Sequence, residues 1–123
     1  MPWTIQNDRP IYLQLIEQIK LRILSGAYAS GEHFPSVREL AAEAAVNPNT
    51  MQKALASLEQ EGLLIGSRTN GRMVTSDQSL IQTLRHELAE KNYGQFYQSL
   101  LELGYSDEDI AEFLTQQQKR RIL

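Results

Sequence analysis

The chain has 123 residues, a length that suits one domain or one small domain with an appendage. It contains no cysteine, which excludes disulfides and thiolate metal sites. The net charge of −3 argues weakly against a nucleic-acid partner. All of that charge arises in residues 77–123, which contain five basic and eight acidic side chains, whereas residues 1–76 contain seven of each. The apolar runs are too short for a signal-peptide core or a membrane span, so we expect a soluble, cytoplasmic protein with no membrane partner.

The first predicted helix runs from about Pro10 to Ser25. Proline suits the first helical position because its missing N–H needs no partner there. An apolar stripe that begins at Tyr12 recurs at helical spacing, and Gly26 is a natural C-terminal stop. The segment 27–34 that follows is predicted to be a loop with room for a short strand.

The second and third predicted helices are separated by only a few residues, which is helix-turn-helix spacing. Ser36 and Glu39 form a capping box at the start of the second helix. The third helix begins with Asn47 as N-cap and Pro48 at its first position, and Gly62 ends it. Its inward face is expected to consist of Met51, Ala54, Leu55 and Leu58.

Two strand-like runs, 63–67 and 72–75, flank the turn signal Thr69-Asn70-Gly71 and predict a hairpin. Three helices followed by a hairpin is the order of a winged helix. The predicted fold class is therefore mainly α with a small β-hairpin: a winged helix-turn-helix over residues 1–76, followed by a C-terminal α-helical dimerisation region over residues 77–123.

The C-terminal region is predicted to contain one long helix to about Leu103, with a kink near 92–94 as the alternative, and a last helix capped by Ser106. Its apolar residues are too numerous for two helices to hide from each other. Packing against the winged helix would cover some of them, but a second subunit is the preferred explanation, because a winged helix alone covers only a half-site. The predicted dimer interface consists of Leu80, Leu84, Leu88, Phe96, Tyr97, Leu100, Leu101, Ile110, Phe113 and Leu114.

The third helix should present Asn49, Gln52, Lys53 and Ala56 on its outer face. Asparagine and glutamine can bond adenine in a bidentate manner, and lysine can reach guanine or phosphate. The alternative is an ordinary solvated face, although such faces usually mix glutamate with lysine and this one has no acid before Glu59. These residues alone leave both interpretations open.

Arginines add two further candidate contacts. Arg38 lies in the first turn of the second helix, where free amides and an arginine can hold a phosphate; a solvated arginine is the alternative. Arg68 and Arg72 flank the hairpin tip, where glycine lets the backbone enter a minor groove. A solvated turn explains the Asn-Gly pair equally well, but it does not explain two arginines without a nearby acid. His33 and His86 show no zinc-site spacing, so neither metal, cofactor nor catalytic residue is expected.

The runs 34–43, 46–55 and 58–64, together with the opening 10–15, resemble the GntR family of bacterial transcription regulators over about residues 9–75. The Asn47–Thr50 turn and the short tail resemble its YtrA-type subfamily. Pro48 and Gln52 stand where many relatives have arginine, so base preference does not carry over, and Ala45 replaces a frequent glycine and would be strained if its φ is positive. With the residues that the resemblance implies, the candidate DNA-binding set is Ser36, Arg38, Asn47, Asn49, Thr50, Gln52, Lys53, Arg68, Asn70, Gly71 and Arg72.

The resemblance implies a sequence-specific transcription regulator, and YtrA-type regulators usually repress neighbouring transporter genes. Together with the predicted dimer interface, it leads us to expect a homodimeric repressor on a pseudo-palindromic operator, because two-fold dimers read such sequences. A small-molecule effector is not identified by the sequence. One rival function is a winged helix used for protein contact, which need not keep Arg38, Lys53, Arg68 and Arg72 on one side. The other is an enzyme, since some relatives carry an aminotransferase-like domain, which we do not expect in a chain that ends at Leu123.

Overall fold

The structure is a computed structural model that describes residues 2–67 and 71–122. Two compact units divide the chain, the first extending to Leu84 and the second beginning at Arg85. Within the described residues, five helices and two strands follow one another in the predicted order, which confirms the mainly α fold with a small hairpin. In chain order they are α1 (Ile11–Leu24), α2 (Val37–Ala44), α3 (Pro48–Gln60), β1 (Leu64–Ser67), β2 (Gly71–Val74), α4 (Gln78–Glu102) and α5 (Asp107–Ile122).

The core of the first unit lies where α1 and α2 pack against α3. The apolar stripes predicted from the sequence supply it, and burial of each such side chain contributes about 1.5–3 kcal/mol to folding. Its most deeply buried members include Leu15, Ile19, Ile23, Phe34, Leu40, Met51, Leu55, Leu58 and Leu63.

Capping side chains fix the turn between α2 and α3. The Ser36 hydroxyl accepts from the Glu39 N–H at 3.2 Å and donates to the Glu39 carboxylate at 3.1 Å. Asn47 accepts from the Asn49 N–H at 2.7 Å, so both predicted N-caps are confirmed. The Glu39 carboxylate bonds the Ser36 hydroxyl and not the cap N–H that the capping box predicts. Between the helices Ala45 adopts φ 57° and ψ 48°, the left-handed conformation for which the sequence predicted strain.

The wing is an antiparallel hairpin in which Leu64 pairs with Val74 and Gly66 with Arg72. The loop before α2 contributes a single bridge, from His33 to Met73, rather than a strand. Of the predicted turn, Thr69 and Asn70 lie outside the described residues, as does the flanking Arg68, whereas Gly71 is described and has φ +70°.

The segment before α1 that contains residues 4–6, here called the N-terminal arm, is bonded to two glutamines of α1. Gln14, 1% exposed, bonds both backbone groups of Gln6: its side-chain oxygen accepts from the Gln6 N–H at 2.7 Å and its amide nitrogen donates to the Gln6 carbonyl at 2.7 Å. Gln18 bonds the backbone of Thr4 in the same two-sided way. These side chains imitate the pairing of a neighbouring strand, and nothing in the sequence analysis anticipated them.

The start of α4 belongs to the first unit. Asp77 caps the helix by accepting from the Leu80 N–H at 3.1 Å, and Ile81 is 4% exposed. A Cβ added at Gly62 would lie 3.3 Å from Leu80, so this predicted interface residue packs against its own chain. The compact unit thus extends beyond residue 76, where the sequence places the functional boundary; that division of function stays a prediction.

The second unit contains the rest of α4 and the whole of α5. The helix α4 runs without interruption to Glu102, as predicted, and no helix among residues 2–67 and 71–122 is long and apolar enough to cross a membrane. Ser106 accepts from the Asp109 N–H at 3.1 Å while the Asp109 carboxylate accepts from the Ser106 N–H at 3.0 Å. The bond that the Ser106 N–H donates to this carboxylate is the main cause that holds the pKa of Asp109 below its usual value. The Tyr97 hydroxyl donates to Asp107, and that hydrogen bond raises the pKa of Tyr97.

Burial within one chain changes part of the predicted dimer interface. Leu100 and Ile110 are 7% and 1% exposed, so they have little surface left for a partner, which corrects their assignment. Phe96 and Leu101 remain exposed. The rest of the predicted set is half-buried: Leu80, Leu84, Leu88, Tyr97, Phe113 and Leu114. Other exposed apolar side chains of the second unit lie outside the predicted interface set, namely Tyr93, Leu103, Tyr105 and Ile122.

Candidate nucleic-acid interface

The helix α3 has the two faces that the sequence predicts. Its inner residues Met51, Ala54, Leu55 and Leu58 are buried. The outer face carries the exposed residues Asn49, Gln52, Lys53 and Ala56, with Thr50 half-buried beside them. An exposed row of amide and ammonium groups next to a small residue can approach base edges closely.

The cap residues of the predicted set have partners inside the chain. The Ser36 hydroxyl is engaged with Glu39 as both donor and acceptor, and the side-chain oxygen of Asn47 is engaged with Asn49. Both residues therefore act first by fixing where α2 and α3 begin. In doing so they set the positions of Arg38 and of the outer face of α3.

Arg38 lies exposed in the first turn of α2. No carboxylate in the described part of the chain forms an ion pair with it. An uncompensated guanidinium at the positive end of a helix is an arrangement that holds phosphate.

Lys53 is held by an aromatic ring that the sequence analysis assigned to an apolar stripe. Its ammonium lies 3.8 Å from the centroid of the Tyr12 ring, which α1 supplies. Tyr12 is half-buried and Lys53 is exposed. No signal in the sequence pairs these residues, because the contact depends on how α1 packs against α3.

The wing corrects one step of the sequence argument. Arg72 pairs with Glu59 at the end of α3, so the expectation of wing arginines without a nearby acid is wrong for Arg72. A Cβ at Gly66, opposite Arg72, would lie 3.2 Å from the Glu59 carboxylate. A glycine facing an arginine across the predicted hairpin was the available signal for this pair. Arg68 and Asn70 lie outside the described residues.

A groove of about 500 Å³ lies between the wing and the start of α2. Ser36 and Glu39 line one side, and Gly71 and Arg72 line another. The packing thus places these parts of the candidate set beside each other. A Cβ at Gly71 would lie 3.6 Å from His33 Nε2, and the positive φ of Gly71 suits glycine in any case.

The family described as "Bacterial regulatory proteins, gntR family" matches residues 11–74, which include α1, α2, α3 and the hairpin of β1 and β2. This chain belongs to the GntR family. The HTH-type transcriptional regulator YhcF of Bacillus subtilis (strain 168) is 32% identical over 107 residues, which make up 87% of this chain and 88% of YhcF. The HTH-type transcriptional repressor YtrA of the same organism is 40% identical over 72 residues, 58% of this chain and 55% of YtrA.

A solved GntR family transcriptional regulator from Listeria monocytogenes has the same fold, with a TM-score of 0.83 and 32% identity, covering 91% of this chain and 98% of its own. The family prediction is confirmed, and YtrA stands among the homologues as the YtrA-type resemblance implied. This GntR chain carries its DNA-binding helix-turn-helix in α2 and α3. Because these relatives are transcription regulators, the enzyme alternative is set aside.

Proposed function

We propose that this GntR regulator is a cytoplasmic repressor that binds a pseudo-palindromic operator as a homodimer. The observation that carries the proposal is the exposed face of α3, where Asn49, Gln52 and Lys53 stand in a row on the second helix of the helix-turn-helix. In such motifs the second helix enters the major groove.

The chemistry of these side chains suits base reading with phosphate anchoring. The amides of Asn49 and Gln52 can each donate to and accept from the edge of adenine. Lys53 supplies a charge that can reach guanine or phosphate, and Arg38 with the amides of the α2 N-terminus suits a backbone phosphate. Phosphate contacts would fix the register of α3, and its outer face would read the bases.

The homodimer is supported by the second unit and by the geometry of operators. Tyr93, Phe96 and Leu103 are 53%, 41% and 72% exposed, a large apolar area for a single helix end to leave in water. At about 25 cal/mol per Å² its burial would stabilise a complex substantially. A second copy is the proposed occupant because two-fold pairing places two recognition helices on one face of the DNA.

The repressor role rests on YtrA, the relative that is named a transcriptional repressor. Control of a transporter operon follows from the YtrA-type resemblance and is part of the same proposal. The test is to compare transcripts in cells with the wild-type chain, without it, and with Gln52→Ala. Transcripts from bound promoters should rise on deletion and in the variant. A fall on deletion would contradict repression.

A further inference from the structure

The lysine on the outer face of α3, the proposed recognition helix, lies against an aromatic ring of α1. The Lys53 ammonium lies 3.8 Å from the centroid of the Tyr12 ring, within the distance at which a ring face attracts a cation. Tyr12 stands in the first turn of α1, and α1 packs directly on α3. A half-buried ring thus supports an exposed charged side chain from the neighbouring helix.

The kind of partner matters as much as the contact. The Lys20 ammonium bonds the Glu61 carboxylate at 3.0 Å, so its charge is compensated inside the chain. Lys53 forms no ion pair with any carboxylate in the described ranges. A ring orders a lysine without neutralising it, and so leaves its full charge available to an anion.

We propose that Tyr12 is a positioning residue for operator binding, whose ring orders the Lys53 side chain without cancelling its charge. The inference rests on the proposed function. A lysine stem on a helix surface samples many rotamers, and ordering it on DNA costs entropy. A lysine side chain that is already ordered loses less conformational entropy on binding. The Tyr12 ring therefore raises operator affinity through Lys53, although the ring itself contacts neither base nor phosphate.

A double-mutant cycle tests this role in the full chain. Operator affinity would be measured for the wild type, Tyr12→Phe, Tyr12→Leu, Lys53→Ala and Tyr12→Leu/Lys53→Ala. We expect Tyr12→Phe to bind like the wild type because it keeps the ring. Tyr12→Leu should weaken binding by about two- to tenfold per half-site, the cost of ordering one flexible side chain on binding. In the Lys53→Ala background the same change should have no further effect. Lys20→Ala, which removes an equal charge, should leave the effect of Tyr12→Leu intact.

An isosteric series separates positioning from packing. Phenylalanines of increasing fluorination at position 12 keep the shape of the ring but weaken its attraction for cations, so they should lower affinity stepwise with Lys53 present and not with Lys53→Ala. This series also serves if Tyr12→Leu does not fold. An equal loss in both backgrounds, an unchanged affinity of Tyr12→Leu, or a loss in Tyr12→Phe as large as that in Tyr12→Leu would each overturn the inference.

Failure of the proposed function would look different. The ring should shift the Lys53 ε-methylene proton resonances upfield in the free protein, and Tyr12→Leu should abolish that shift. If the wild-type chain bound no DNA while the shift was present, the proposed function would fall and the operator role of Tyr12 with it. If the chain bound its operator without coupling between the two residues, the inference alone would fall.

Discussion

The basic side chains of the first unit differ in how their charge is balanced. Arg72 and Lys20 are each paired with a glutamate, whereas no described carboxylate pairs with Arg38 or Lys53. A compensated cation contributes little to phosphate binding unless its pair opens. This distinction decides which residues should govern affinity for DNA.

We expect Arg38→Ala to weaken operator binding by roughly 1–3 kcal/mol while leaving the melting temperature unchanged. The reason is that its charge lies at the N-terminus of α2 and forms no ion pair among the described residues. Gel-shift titration and thermal melting measure the two quantities, and Arg120→Ala in α5 is the control for the loss of one arginine. Unchanged affinity in a normally melting variant would remove Arg38 from the interface.

The salt dependence of binding should separate Lys53 from Arg72. If Lys53 contacts a phosphate, Lys53→Ala should reduce the slope of log K against log[salt] by about one. Arg72→Ala should change the slope by less, because Glu59 already balances that charge, and should lower thermal stability by loosening the wing. A full unit lost in Arg72→Ala would mean that the pair opens on DNA. Relaxed base preference at an unchanged slope in Lys53→Ala would mean that Lys53 reads a base.

Sequence reasoning succeeded for these residues where the determinant was local. Helical periodicity placed Asn49, Gln52 and Lys53 on the outer face of α3, since a regular helix fixes that geometry. It missed Tyr12 and Glu59 because their contacts join different elements. Only the Glu59 contact had a usable signal, in the glycine at position 66 that leaves room for the carboxylate.

At the scale of elements, the turn between α2 and α3 determines how the recognition helix is presented. Ala45 provides its left-handed residue, and an L-residue in that region costs roughly 1–2 kcal/mol. Ala45→Gly should therefore raise the free energy of unfolding by about 0.5–1 kcal/mol after the greater flexibility of glycine in the unfolded chain is subtracted. Denaturant titration measures the change.

The matched control is Ala42→Gly, which places the same substitution inside α2 at an exposed site. It should lower the free energy of unfolding by about 1 kcal/mol, because glycine disfavours helix interiors. Loss of stability in both variants would show that the left-handed turn is not a source of strain.

The elements were predictable to the extent that their ends carry side-chain signals. The starts of three helices were predictable from their N-cap residues, Ser36, Asn47 and Ser106, because each of these side chains accepts from an amide within the next three residues. The N-terminal arm has no such signal. Its attachment depends on Gln14 and Gln18, whose side chains contact backbone groups eight and fourteen residues away in the sequence, and no local pattern marks such contacts.

At the scale of the whole molecule, the proposed dimer should depend on the exposed apolar residues of the second unit. Phe96→Ser should weaken association by about 1.5–3 kcal/mol for each buried copy. In sedimentation measurements on a dilution series, the mass should then drop from about twice 14.0 kDa to 14.0 kDa at a higher protein concentration than in the wild type. Gln95→Ser, an exposed neighbour, should change nothing. A wild-type chain that is monomeric at micromolar concentration would contradict the dimer.

One experiment tests the proposed dimer and the proposed operator together: the full chain is used to select the sequences that it binds from random double-stranded DNA. The account predicts enrichment of two inverted copies of one motif, with centres separated by about 34–36 Å, one helical turn, or a multiple of it. Gln52→Ala should relax the preference at one symmetric pair of positions. Enrichment of a single unrepeated motif, or no enrichment above the starting library, would contradict the claim that this chain reads a pseudo-palindromic operator as a dimer.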